Sequence, residues 1–229
     1  MGKTEIGMKV EPRVRTTDEI RRQFVEGELG AVLDWQVRDI KTGKITSHGI
    51  KKAESFVRQF LDLLLVKFIN SGPAGFIQIK DIGGVYRDIA NTSLNFSTNA
   101  PTSNVSYGII VGTGNTAPTI TDYVIQTIIA HGSGAGQMQY GGVTYGLPAS
   151  DSTTSQFTIT RNFANASVGS ITVNEIALYV RALSASLALN LLSTPTTHYF
   201  MTIRDVIGVG INVTNGQTLT VNYRPQVIV

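Results

Sequence analysis

From Phe76 to the end of the chain the sequence is written in short segments separated by turn residues. The clearest are Phe76–Ile82, Val85–Ile89, Ser106–Val111, Tyr123–Ala130, Met138–Tyr145, Gln156–Phe163, Ser170–Val180, His198–Val206 and Thr218–Tyr223. Many alternate with period two: Leu219, Val221 and Tyr223 share one face, while Thr218, Thr220 and Asn222 share the other. Alternation of that kind places one face on a core and the other toward water. Short strands with turns every ten or so residues predict a mainly β fold, a β-sandwich or jelly-roll-like domain over residues 76–229. Two segments are ambiguous. Tyr123–Ala130 reads as a strand or as a helix capped by Thr121, and Ala182–Leu192 reads as a short helix between strands.

The first 75 residues follow other rules. Residues 1–30 read as an arm with a short helix, opened by the capping box Thr16-Thr17-Asp18-Glu19 and stopped at Glu26-Gly27. Residues 31–75 read as a hairpin plus a buried helix. The hairpin, Val32 to Gly49, turns at Lys41-Thr42-Gly43-Lys44. The helix, Lys52 to Ile69, is apolar almost all round, which predicts burial on most sides. Asn70-Ser71-Gly72-Pro73 ends it.

Charge divides the chain along the same line. Of its 35 Asp, Glu, Lys and Arg residues, 27 lie in the first 90 positions and 8 in the remaining 139, and no lysine follows Lys80. A soluble domain is usually about 25% charged, so the β part must stay in solution through Thr, Ser, Asn and Gly. Such a neutral surface is well suited to burial against other subunits. The net charge of +3 excludes a general polycation for nucleic acid. The arm's basic residues are diluted by Glu5, Glu11, Asp18 and Glu19, so its better reading is a partner-bound or solvated segment. The opening residues carry no apolar leader, and Phe56–Ile69 is too short and too charged to span a membrane.

No constellation in the sequence carries chemistry. The absence of cysteine removes disulfides, thiolate metal sites and a thiol nucleophile together. His48, His131 and His198 have no acidic partner at ligand or triad spacing. Gly112-Thr113-Gly114 and the glycine run from Gly132 to Gly136 lack the strand-to-helix context of a dinucleotide loop, and read as turns needing positive φ. The sequons at Asn91, Asn104, Asn165 and Asn212 reflect an Asn/Ser/Thr-rich composition. A two-carboxylate site has only Asp122, Asp151, Glu175 and Asp205 to draw on after residue 90. Neither an enzyme nor a cofactor is expected.

A local pattern, apolar–basic–Asp–aliphatic, recurs at Val37–Ile40, Ile79–Ile82, Tyr86–Ile89 and Ile203–Val206. Each Asp either ends a strand and starts a turn, or pairs with its basic neighbour across a subunit interface. The apolar ending Pro225–Val229 is expected to dock, within the fold or on another subunit. These readings give the interface candidates Arg13, Arg15, Arg21 and Arg22 in the arm, the pair Arg204 and Asp205, and Val227 and Val229.

Several passages, taken in order, resemble a known group. They are Val37–Lys44, Ser55–Phe60, His131–Gly141, Ile171–Tyr179, Ile203–Val206 and Gly216–Tyr223. Together they resemble tailed-bacteriophage virion structural proteins, over roughly residues 32 to 229. The resemblance implies a β-rich subunit of a phage particle, assembled in the host cytoplasm, whose partners are copies of itself and other virion proteins. It implies no catalytic residue and does not separate a capsid-associated or minor capsid place from a tail or connector one. Two other classes remain open: a receptor- or glycan-binding module using Tyr107, Tyr123, Tyr140 and Tyr145, and a depolymerising enzyme.

Overall fold

The computed structural model describes residues 16, 19–20, 22–24, 29–53, 56–69, 77–89, 96–183 and 196–228. Thirteen strands and one longer helix carry the described chain. The first hairpin joins β1 (Leu29–Asp39) to β2 (Ile45–Ala53), and α1 (Arg58–Ile69) follows. The hairpin β3 (Ile77–Lys80) and β4 (Tyr86–Ile89) comes next, then β5 (Gly108–Gly112). Five short strands succeed it: β6 (Gln139–Tyr140), β7 (Thr144–Tyr145), β8 (Ala149–Ser150), β9 (Thr154–Gln156) and β10 (Ile159–Ala164). Three long ones close the fold: β11 (Ile171–Leu183), β12 (Thr197–Val213) and β13 (Gln217–Ile228).

The strands form a mainly β, sandwich-like fold. The larger sheet runs β2-β1-β13-β10-β6, with β7 also on β10, β9 on β13 and β8 on β9. The smaller runs β12-β11-β5, and β3-β4 stands as a separate ribbon. β1 pairs with β13 along its whole length, from Leu29↔Val227 to Asp39↔Gln217, so the first hairpin belongs to the larger sheet. This also settles the apolar C-terminal strand: Val227 lies between Leu29 and Ser155, inside the same chain's sheet.

Period two decides the core. Leu219, Val221 and Tyr223 of β13 are fully buried, as are Leu33 and Val37 of β1, and they meet Val173, Val213 and Met201 of the smaller sheet. Burial of each such side chain is worth about 1.5–3 kcal/mol. β11 is buried on both faces through its middle, because α1 and the β3-β4 ribbon supply Leu63, Val66, Ile79 and Ile89 against Val180, Ala182 and Phe200.

Several expectations change in detail. The helix starts at Arg58 because Lys51–Ala53 continue β2, with Ala53 opposite Ala31. It is buried on one side only: Gln59, Leu63 and Val66 are covered, while Leu61, Leu65 and Phe68 are exposed. Segment 138–145 splits into β6 and β7 at Gly141-Gly142, where Gly141 N donates to Asn162 O instead. Tyr123–Ala130 is neither strand nor helix, for reasons that belong to the buried charges described below. The capping box at the N-terminal piece forms: Thr16 N donates to Glu19 Oε2 at 2.7 Å and Glu19 N to Thr16 Oγ1 at 3.2 Å. Ile20 and Phe24 from this piece pack on Val32, Ile50 and Ile228. The Glu26-Gly27 stop, the Asn70–Pro73 terminator and nearly all of the Ala182–Leu192 segment lie outside the described residues.

Candidate interface groove and the buried charges

Arg204 and Asp205 are buried in the middle of β12, covered by this chain alone, and so are not surface residues awaiting a partner. Arg204 donates from Nε and Nη2 to Glu175 Oε2 at 3.1 and 3.0 Å, and from Nη1 to Asp122 Oδ2 at 2.7 Å. Its Nη2 also reaches Thr116 O at 3.1 Å. Glu175 in turn accepts backbone N–H bonds from Gly114, Gln126 and Thr127 at 3.0, 3.1 and 2.9 Å. Ile125 N donates to the Tyr179 hydroxyl at 2.7 Å. The N–H groups of Gly114, Ile125, Gln126 and Thr127 are therefore spent on side chains of β11, which leaves Tyr123–Ala130 irregular. Burial raises the Asp122 carboxyl, but bonds from Thr119 N and Oγ1 and from Arg204 outweigh it and hold the group below its ordinary range. Gly114 is required by close approach, since a Cβ there would lie 2.4 Å from Glu175 Oε1. It does not need positive φ; among the glycines of the two runs, Gly132 and Gly136 have it, at 152° and 74°.

Asp205 accepts from the Tyr223 hydroxyl at 3.0 Å and faces Lys51 Nζ at 3.6 Å, which ties the two sheets together. The other copies of the recurring pattern behave differently. Asp39 and Asp81 cap turns, accepting from Thr42 N at 2.7 Å and from Gly83 N and Val85 N at 2.9 Å each. Asp81 also pairs with Arg87 at 2.7 Å and lies 3.6 Å from His198 Nδ1.

Arg161 is the buried charge that the motif reading passed over. It is fully buried, and its guanidinium donates to five main-chain carbonyls: Gly141, Tyr107, Ile109, Pro101 and Asn104. Desolvation pulls its pKa down to about 10, so it remains charged at neutral pH. The signal for it was present: Ile159, Arg161 and Phe163 share one face of an alternating strand, and that face is the core.

Together these facts leave residues 91–229 with few free charges outside. Four of their eight charged residues, Arg161, Glu175, Arg204 and Asp205, are interior. Asp122 and Arg224 are tied to Arg204 and Asp34.

Against that surface lies an apolar groove of about 670 Å³ between α1 and the two sheets. Phe56, Phe60 and Leu64 form one wall, and Phe157, Ile159 and Pro225 belong to the larger sheet's side. Among the described residues that line it, none is an acid, a lysine, an arginine or a histidine. Aromatic contacts fix the helix wall: the Phe56 and Phe60 rings lie 4.5 Å apart and Phe60 and Phe96 5.8 Å apart. Exposed Leu61, Leu65 and Phe68 extend the apolar surface along α1, and exposed Leu29, Tyr145 and Phe157 carry it onto the sheet rim. Val227, one of the interface candidates, is exposed and paired with Leu29 at this rim. Arg22 is exposed too, whereas Arg13, Arg15, Arg21 and Val229 lie outside the described residues.

In a second groove, of about 650 Å³, the polar groups of Asp34, Gln36, His48, Asn222 and Arg224 stand beside Trp35, Ile45 and Ile50. Of the tyrosines considered for ligand contact, Tyr107 and Tyr140 are core residues, and burial raises the Tyr140 phenol. Tyr145 is half-exposed with its hydroxyl 2.9 Å from Thr98 Oγ1. Among the described residues no cluster of three His, Cys, Asp or Glu could hold a metal, and no helix is long and apolar enough to cross a membrane. Comparison with protein-family models, with curated proteins and with solved structures finds no match.

Proposed function

We propose that this chain is a structural subunit of a bacteriophage particle, capsid-associated or part of a tail connector, which works by binding copies of itself and other virion proteins. The observation that carries the assembly reading is the apolar groove, whose described lining carries no charge, with its exposed apolar rim. Contiguous apolar surface of this kind marks protein contacts in soluble proteins. Covering it removes few charges from water, so little desolvation opposes association. The phage context comes from the ordered sequence resemblance over residues 32 to 229. In this reading an apolar segment of a neighbouring subunit fills the groove.

Electron microscopy and sedimentation across a concentration series test it. Rings, tubes, shells or a uniform closed oligomer support the reading, and Leu61→Glu with Leu65→Glu should weaken them without lowering the melting temperature, since both side chains are already exposed. Monomers at every concentration, alone and with other proteins of the particle, would sink it. A receptor- or glycan-binding module is the second reading, favoured by the polar groove of Asp34, Gln36, His48 and Asn222, whose amides and carboxylate suit sugar hydroxyls. A glycan array discriminates the two.

A further inference from the structure

Where α1, the β3-β4 ribbon and the loop 116–126 meet, two adjoining cavities hold polar groups that the fold leaves unserved. The smaller, of about 60 Å³, is lined by Gln59, Lys80, Tyr86 and Thr121 together with the Arg58-Asp62 pair. The larger, of about 470 Å³, shares Lys80 and Thr121 with it and takes in Tyr123. Arg58 N donates to Ile120 O at 3.0 Å, which fixes the loop against the start of α1.

Gln59 is 4% exposed, and its Oε1 is buried with no hydrogen-bond donor among the described residues. Most buried polar side-chain atoms have a partner, and stranding one is costly. The amide lines the smaller cavity, so the donor it lacks is to be sought there. Lys80 is half-buried, and its ammonium stands 4.0 Å from the centre of the Tyr123 ring with no carboxylate paired to it among the described residues. The other charges of the two walls are matched: Arg58 meets Asp62 at 3.2 Å, and Arg204 meets Asp122 at 2.7 Å. Glu175, which also holds Arg204, is enclosed and accepts three backbone N–H bonds. Among the described lining residues Lys80 is therefore the unmatched charge, and it calls for a single anionic group.

An unpaired acceptor beside an unpaired cation suits one molecule that carries both a hydroxyl donor and a carboxylate. A neutral sugar leaves Lys80 unmet, a simple carboxylate gives Gln59 Oε1 nothing, and a phosphate brings more negative charge than one lysine balances. We propose that this junction binds a sugar acid, with its carboxylate on Lys80 and a hydroxyl donating to Gln59 Oε1. The hydroxyls of Thr121 and Tyr86, each both donor and acceptor, serve other hydroxyls of the ligand. The larger cavity, of the size usual for small-molecule sites, takes the rest of the ring. These walls share no residue with the apolar groove or with the groove of Asp34, so the inference does not depend on self-assembly.

Calorimetric titration of the full chain with glucuronate, glucose and acetate tests this. Glucuronate is expected to bind about tenfold or more tightly than glucose, which lacks the carboxylate, and than acetate, which lacks the hydroxyls. Lys80→Gln should bring glucuronate down to the level of glucose and leave glucose unchanged. Gln59→Met should weaken glucuronate about tenfold and leave acetate unchanged. It should not lower the melting temperature, since the amide oxygen has no partner to lose. If Gln59→Met fails to fold, glucuronate against acetate on the wild-type chain still reads the hydroxyl contact. Glucuronate that does not bind, that binds no better than glucose, or that binds Lys80→Gln as well as wild type overturns the proposal. Acetate that binds as tightly as glucuronate overturns it too.

Discussion

Arg161 offers the sharpest test of how this fold is held. Its side chain is wholly enclosed, faces no carboxylate among its hydrogen-bond partners, and donates five bonds to carbonyls of 101–109 and of Gly141. Two of these are short enough to be strong, 2.8 Å to Gly141 O and 2.5 Å to Asn104 O. Replacement by Met keeps most of the volume and leaves five carbonyls without this donor. A buried polar group stranded in this way costs about 1–3 kcal/mol, a ceiling of about 15 kcal/mol for five. Two effects offset that figure: water can reach some of the loop carbonyls, and removing a buried cation relieves several kcal/mol of desolvation. The expected net loss for Arg161→Met is about 4 kcal/mol, large against a typical domain stability of about 5–15 kcal/mol. Lysine has three donors where arginine has five, so Arg161→Lys should fall between, at about 2 kcal/mol. Urea unfolding at constant slope measures both. If Arg161→Met were within about 1 kcal/mol of wild type, the five bonds would contribute nothing net and the reasoning would fail.

Two further outcomes follow from the buried charges. Glu175→Gln keeps the shape but removes the anion that Arg204 and three backbone N–H groups address, and should cost about 3–5 kcal/mol in the same unfolding assay. Acid should destabilise the β3-β4 ribbon first. Burial, then the Arg87 charge, lower the His198 pKa against the opposing pull of Asp81, and the Asp81 carboxyl is itself held below 3.8 by its turn N–H groups and Arg87 despite partial burial. Both groups bind protons more readily unfolded than folded, so their stability is present above the unfolded pKa and is lost as pH falls, from 6.5 downward for His198 and from 3.8 downward for Asp81. In His198→Gln the loss that sets in below about pH 6.5 should disappear while the loss below about pH 4 remains; melting temperature against pH reads both.

The sequence disclosed the elements better than their partners. Alternation in Thr218–Tyr223 and the capping box at Thr16 correspond to a buried strand face and a closed helix start because both signals are local. Helix α1 shows the limit of composition. Its leucines and phenylalanines are uniform around the axis, but only the side against β12 and β3 is covered, and no local signal states which. Tyr123–Ala130 was illegible because the N–H groups of Ile125, Gln126 and Thr127 go to Tyr179 and Glu175, about fifty residues away. The Arg204-Asp205 pair misled for a related reason. A charge in an apolar strand is equally consistent with an interface and with an interior network, and the deciding partners, Glu175, Tyr223 and Lys51, come from three other strands. The apolar groove had no linear signature, since its walls draw on α1 and on both sheets.

Salt distinguishes association through the groove from association through the basic arm. Four of the eight charges in residues 91–229 are interior, two more are tied in ion pairs, and the described lining of the groove holds none, so a contact built there has almost no Coulomb component to screen. At about 0.1 M salt charges interact over about 10 Å, and at about 1 M over about 3 Å. A contact made by Arg13, Arg15, Arg21 and Arg22 with acids of a neighbour would weaken steeply across that range. A contact made by apolar burial would not, and sulfate would strengthen it by favouring burial. The association constant, measured by sedimentation, should therefore change less than about threefold between about 0.1 M and about 1 M sodium chloride, and should rise in sodium sulfate. A loss of tenfold or more would assign the interface to the charged N-terminal segment and remove the groove from it.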